Sequence, residues 1–163
     1  MLDDVRFILH DVLGEPETYD DVLAGAAAVC RELLAPLNAT GDAEGATFDA
    51  GAVRTPAGFR EAFATFARDG WVGLTAAEEH GGAGLPHVVG SVLEELVCAA
   101  NLSFATYAGL TSGAYRAVLL HGDAEQRARL LPPLAAGTST GTMCLTEAHA
   151  FGSARGRCPR APR

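Results

Sequence analysis

Apolar residues recur at three- and four-residue intervals along most of this chain, which predicts a helical protein. Leu2, Val5, Ile8, Leu9 and Val12 predict a short amphipathic helix over 2–13, ended by Gly14 and Pro16. A second helix is predicted over 20–37. Asp20 and Asp21 stand at its positive end, and Val22, Ala26, Val29 and Leu33 form its apolar face. Residues 38–51 are polar and Gly-rich, and read as a loop. Thr55 and Pro56 predict the start of a third helix, as capping hydroxyl and first helical residue. Phe59, Phe63 and Phe66 give it a core-facing stripe, and Gly70 stops it.

Residues 71–86 read as loop, with Gly81, Gly82 and Gly84 reversing the chain rather than cradling a phosphate, because no strand precedes them. Residues 87–100 predict the most hydrophobic helix; Val88, Val89, Val92, Leu93, Leu96 and Val97 surround most of it, so it should be central. A further helix over 103–121 would bury Tyr107, Leu110, Ala114, Ala117 and Val118. Gly122 and Asp123 cap a last helix, Ala124–Leu131, which Pro132 and Pro133 disturb. After Gly137 the β-branched Thr138, Thr140 and Thr142 predict a strand. The fold class is therefore mainly α: a helical domain of about six helices, then the first strand of an incomplete β domain. A strand needs partners for its backbone groups, so the rest of its sheet must come from elsewhere. The predicted divisions are a helical domain (1–137), the start of a β domain (138–153), and an aberrant, disordered basic tail (154–163).

Charge sharpens this picture. The net charge is −8, and residues 1–150 hold eight Arg against twenty acidic residues, a balance of −12. That disfavours nucleic acid and anionic membranes as partners. Residues 151–163 reverse it, with Arg155, Arg157, Arg160, Arg163 and no acid. The tail has neither helical nor strand periodicity, which predicts a slipped reading frame after about residue 152 rather than an interaction tail. Cys30, Cys98, Cys144 and Cys158 lie too far apart for a disulfide framework or a metal knuckle, and Cys30 and Cys98 read as small buried apolar residues. His10, His80, His87, His121 and His149 lack metal-ligand spacing. No basic-flanked targeting core opens the chain, and no apolar run reaches the ~18 residues of a membrane span. A cytoplasmic location follows as the expectation.

The chemistry sits near the end. An apolar, β-prone stretch, Thr140–Leu145, runs into Thr146-Glu147 and then through Ala148, His149, Ala150 and Phe151 to Gly152-Ser153. It resembles the flavin-contacting strand and turn of acyl-CoA dehydrogenases, with Ala148 in place of a Pro, Phe151 inserted, and Ala154 in place of an Asp. The run Gly70-Trp71-Val72-Gly73-Leu74, then Glu79–Pro86, is similar to the N-terminal helical domain of that family. So is His121–Gln126 leading to Leu131–Gly137. Residues 1–14, Leu34–Asn38 and Gly41–Gly45 resemble its larger bacterial branch, which includes 3-methylmercaptopropionyl-CoA dehydrogenases.

That resemblance implies FAD as cofactor, an acyl-CoA thioester as substrate, an electron-transfer flavoprotein as electron acceptor, and a homo-oligomer when full length. It implies α,β-desaturation by a Glu of a C-terminal domain, with flavin taking the β-hydride. Met143, Leu145 and Thr146 would line the pyrimidine edge of the flavin, and Gly152 and Ser153 its pyrophosphate. Backbone groups on a strand edge suit the flavin rim, and a Gly-Ser turn lets N–H groups approach phosphate. No residue of this chain matches the catalytic base, so the chain alone should be colourless and inactive. Another class remains as an alternative: a non-catalytic helical packing module. A third, a serine hydrolase using Ser139 in Gly137-Thr138-Ser139-Thr140-Gly141, conflicts with the strand-then-helix order that motif needs.

Overall fold

The computed structural model describes residues 2–143 and the backbone of Thr146–Glu147 and Ala150–Phe151. It is mostly helical, as the periodicity predicts. Helix α1 (Leu2–Arg6) continues as a widened π-type turn, Phe7–Val12. Only Val5 and Leu9 of this segment are buried, while Ile8 and Val12 are exposed. His10 ties the segment down: Nδ1 donates to the Glu15 carbonyl at 2.8 Å, and Nε2 donates to Asp20 Oδ1 at 2.9 Å. Arg6 Nε lies 3.1 Å from Asp20 Oδ2, as an ion pair without hydrogen-bond alignment.

The long helix runs further than the sequence predicts. Helix α2 (Asp20–Val29) passes through a π-turn, Cys30–Leu34, into α3 (Pro36–Glu44), so much of the predicted 38–51 loop is helical. Pro36 explains the π-turn. A proline inside a regular helix has no N–H to donate and would press its ring on the carbonyl of Glu32; the wider turn relieves that clash. The buried face is Leu23, Ala26, Cys30 and Leu34, one position round from the predicted Val22, Val29 and Leu33, which are half-buried. Helix Glu17–Glu44 is long and apolar enough to cross a membrane by length and composition, which corrects the expectation that no segment reaches that length. Here its apolar face packs on the core.

The rest of the predicted loop is a hairpin: β1 (Thr47–Asp49) pairs antiparallel with β2 (Ala52–Arg54), and Phe48 faces Val53. Helix α4 (Phe59–Arg68) begins later than Thr55-Pro56 predicts. Its cap is Gly58, at φ 82°, a left-handed conformation that lets the chain swing from the hairpin into the helix. Helix α5 (His87–Ala100) is central, packing against α2, the π-turn and α6 (Leu102–His121). Phe66, Phe104 and Leu34 are fully buried there, and Phe66 meets Phe104 edge-on at 5.6 Å. Along α6 the buried set is Phe104, Ala105, Thr111 and Tyr115; the predicted Leu110 and Ala114 are half-buried and Ala117 is exposed.

Asn101 fixes how α6 starts. Its buried side chain accepts from Phe104 N at 3.0 Å and donates to the Leu34 carbonyl at 3.3 Å. Leu34 O is free for this because Asn38 N turns to Ala35 instead. Helix α7 (Ala124–Ala135) opens on an Asp123–Gln126 capping box and continues through Pro132 and Pro133 rather than stopping at Leu131. The two prolines free only the carbonyls of Ala128 and Arg129, whose residues face solvent. Beyond α7 the predicted strand 138–142 has no strand pairing. Instead β3 (Thr146–Glu147) pairs antiparallel with β4 (Ala150–Phe151), so the chain folds back on itself where a lone strand was expected.

Candidate functional site

Three features converge on α6: a docked terminal segment, a cleft against α5, and the loop 71–86. The terminal segment leaves α7 through hydrogen bonds from Thr138 N and Ser139 N to the Pro133 carbonyl, both 3.0 Å. It then crosses α6. Gly141 N donates to Thr111 Oγ1 at 3.2 Å, and Thr111 Oγ1 donates to the Tyr107 carbonyl at 2.6 Å. Thr111 is wholly buried, so its hydroxyl is a fixed peg. Gly141 is there for close approach: a Cβ on it would collide with Ala114 Cβ and lie 3.0 Å from the Leu110 carbonyl. Thr142 and Met143 therefore emerge on a set track, both exposed, Met143 to 61%. Sequence reasoning missed Thr111. The signal was present: a hydroxyl opening the small-residue run Thr111–Ala114, pointing to something packed closely on the helix.

Beside this seam, α5, α6 and residues 71–75 enclose a half-open cleft of about 130 Å³. Phe66, Trp71 and Val97 give it apolar walls, and Glu94, His87 and Arg116 make the rest of its lining as polar as those walls are apolar. A broader groove of about 710 Å³ lies under the hairpin, where Phe63, Tyr107 and Thr140 meet Val53.

The loop 71–86 is clasped to α6 by Tyr115. Ala77 N donates to the Tyr115 oxygen at 3.0 Å, and the hydroxyl sits 2.8 Å from His80 Nδ1. On the other side of the ring, His80 Nε2 lies 3.6 Å from Glu79 Oε1. Ala83, Gly84 and Leu85 N–H groups turn inward to the carbonyls of Gly73, Ala76 and Leu74. Those donors are spent on the chain reversal, as the sequence reading expects, and offer nothing to phosphate.

Of the expected flavin contacts, Met143 lies exposed on the seam, and the Thr146 backbone lies in β3. Leu145, Gly152 and Ser153 fall outside the described residues, as does His149. Ser139 sits in the turn after a helix and is followed by no helix among the described residues, so the hydrolase elbow is absent there. Cys30 is buried as expected, and burial pushes its thiol up to about 11; Cys98 is half-buried.

Residues 16–138 match the family model described as acyl-CoA dehydrogenase, N-terminal domain. The chain is 42% identical over 134 residues to a 3-methylmercaptopropionyl-CoA dehydrogenase of Ruegeria pomeroyi, covering 82% of this chain and 23% of that protein. It is 32% identical over 122 residues to a butyryl-CoA dehydrogenase of Syntrophomonas wolfei, covering 73% of this chain and 20% of the other. Among solved structures, a chain from work on the electron transferring flavoprotein of Acidaminococcus fermentans superimposes with a TM-score of 0.67 at 23% identity. That match covers 83% of this chain and 33% of the other, and speaks for the fold alone. The chain thus spans between a fifth and a third of these relatives' lengths. Its helical body and the residues that build it place it in the acyl-CoA dehydrogenase family, as an N-terminal domain.

Proposed function

We propose that this chain forms one wall of an FAD-dependent acyl-CoA dehydrogenase site, where an acyl thioester loses hydrogen between its α and β carbons. One observation carries the reading. The terminal segment is pinned to α6 by Thr111 immediately after the matched domain, and delivers an uncovered Met143 beside the cleft-bearing helix. The described residues suit FAD there: Thr142 and Met143 are exposed on a track too tight to drift, and β3 begins three residues on.

By this reading Met143, Leu145 and Thr146 hold the pyrimidine edge, with the Thr146 hydroxyl as an adjustable partner, and Gly152 and Ser153 approach the pyrophosphate. Bound FAD supplies acceptance of the hydride. The chain's own residues orient the cofactor edge, exclude water along α6, and shape the acyl side. Removal of the α-proton falls to a Glu of another domain. Electrons then pass to an electron-transfer flavoprotein, and the assembled enzyme is a homo-oligomer. The names of the two enzymatic relatives support short acyl-CoA thioesters as the substrate class.

The test is a chimera in which this chain replaces the N-terminal domain of the Ruegeria relative. The chimera should purify yellow and bleach with an acyl-CoA, while this chain alone should be colourless and inert. A flavin-loaded chimera that no acyl-CoA bleaches would refute the proposal. So would a yellow, active preparation of the chain by itself. A folded chimera that takes up no flavin would favour the non-catalytic packing module.

A further inference from the structure

We infer that a second copy of this chain docks through its N-terminal segment: the acidic, apolar face of residues 4–12 in one copy lies in the basic groove under the hairpin of the other. The contact is between copies and is independent of the flavin reading.

Two complementary surfaces carry it. Val5 and Leu9 are buried, and His10 and Arg6 both reach Asp20, so the segment is locked with its other side outward. On that side Asp4, Phe7, Ile8, Asp11 and Val12 recur at three- and four-residue intervals, all exposed. They form an apolar strip with a carboxylate toward each end. The groove is of the opposite kind. Phe63, Tyr107 and Val53 line it, and Val53 is 69% exposed. Arg54 and Arg60 stand on it as exposed guanidinium groups that make no ion pair among the described residues, against the single lining carboxylate of Glu61. This basic patch lies within residues 1–150, whose balance is −12. A helical strip laid in such a groove buries its apolar anchors, and the charges at the rim set its register.

The groove is formed in advance. Ala50 and Gly51 turn the hairpin with φ of 47° and 84°, both positive, as a tight turn matched to the twist of its strands requires. Ala57 N donates to Glu44 Oε2 at 2.9 Å, tying the exit of the hairpin to α3. Little ordering cost then remains for binding.

Distance makes the partner another copy. The segment is bonded to Asp20, where the α2–α3 rod starts, while the hairpin follows the end of that rod at Glu44. At 1.5 Å per residue the rod is roughly 35 Å long. A segment held at one end cannot enter a groove at the other within one molecule.

Sedimentation equilibrium of the purified chain should show association by about 0.1 mM. Asp4→Arg with Asp11→Arg should weaken it at least about tenfold, and so should Arg54→Glu with Arg60→Glu. The first pair moves the net charge from −8 to −4, which by itself would favour association, so a loss there reports the contact. Arg127→Glu with Arg129→Glu, exposed on α7, changes the net charge as the groove pair does and should leave association within about threefold. An equal mixture of the segment and groove variants pairs basic strip with acidic groove, and acidic strip with basic groove. It should recover association to within about threefold of the unaltered chain. All these positions are exposed, and circular dichroism checks each fold. The inference is overturned if the unaltered chain stays monomeric at that concentration, if the groove pair weakens association no more than the α7 pair, or if the mixture associates no better than either variant alone. None of these outcomes bears on whether the chimera is yellow or bleaches.

Discussion

At the scale of single residues, two polar side chains hold more of this molecule than their number implies. Asn101 both caps α6 and satisfies the carbonyl that the Pro36 irregularity leaves free. Asn101→Ala orphans a buried N–H and a buried C=O, and should cost about 2 kcal/mol in a urea melt. Asn101→Asp keeps the cap acceptor but sets a buried carboxylate against the Leu34 carbonyl, and should cost at least as much, about 2 kcal/mol or more. His10 acts by charge. Its contact with the Glu15 carbonyl, reinforced by Asp20, raises its pKa above 6.5, and the same pairing holds Asp20 below its ordinary 3.8. A raised His stabilises fully below its unfolded value and loses that contribution as pH climbs through the folded one. A lowered Asp contributes above its unfolded value and loses this as pH falls through the folded one. The N-terminal clasp should thus be firmest between about pH 4 and 6.5. Melts across pH should show stability falling on the alkaline side, and His10→Phe should flatten that slope. An unchanged slope in the variant would remove His10 as its source.

At the scale of elements, the seam on α6 makes a sharp demand of one position. Gly141→Ala should lift the terminal segment from Ala114 and break the bond to Thr111, while α6 and α7 stay intact. Hydrogen exchange at the residue 141 amide should then quicken at least about tenfold with the global melt little altered. Equal loss of protection throughout α6 would mean that the seam is not a separable unit. The same elements show what was legible in the sequence. The central helix α5 and the Phe stripe of α4 were, because both bury apolar residues at helical spacing. The buried face of α2 was right at Ala26 and one position off at Leu23 and Cys30, since Ala and Val surround that helix. The hairpin was not legible: its residues are all exposed, so no alternation of burial marks it. Pro132 and Pro133 read as breakers, yet the carbonyls they strip face solvent and cost little. Of the terminal segment, the Thr146–Glu147 strand was readable from motif. Thr111 was not, because its role depends on a segment 30 residues away.

At the scale of the whole molecule, a helical body carries apolar surface that its own core does not use. Phe7, Ile8, Val12 and Leu13 are each half or more exposed along the N-terminal segment. Light scattering should show concentration-dependent association of the purified chain. Phe7→Glu with Val12→Glu should reduce it, while changing stability by about 0.5 kcal/mol or less. Association unaffected by these charges would locate its origin elsewhere. The π-turn at Cys30–Leu34 carries a further consequence at this scale. It behaves as one supernumerary residue in an otherwise continuous rod. Removing a residue there would close the turn to ordinary helical spacing and leave the flanking segments in phase, whereas removing one from α2 would turn everything beyond it by about 100°. In that second case Gly41 would rotate off the Phe59 ring it abuts, and the hairpin would follow. Single-residue deletion should therefore be tolerated best at that bend, the one place where the rod holds a residue to spare.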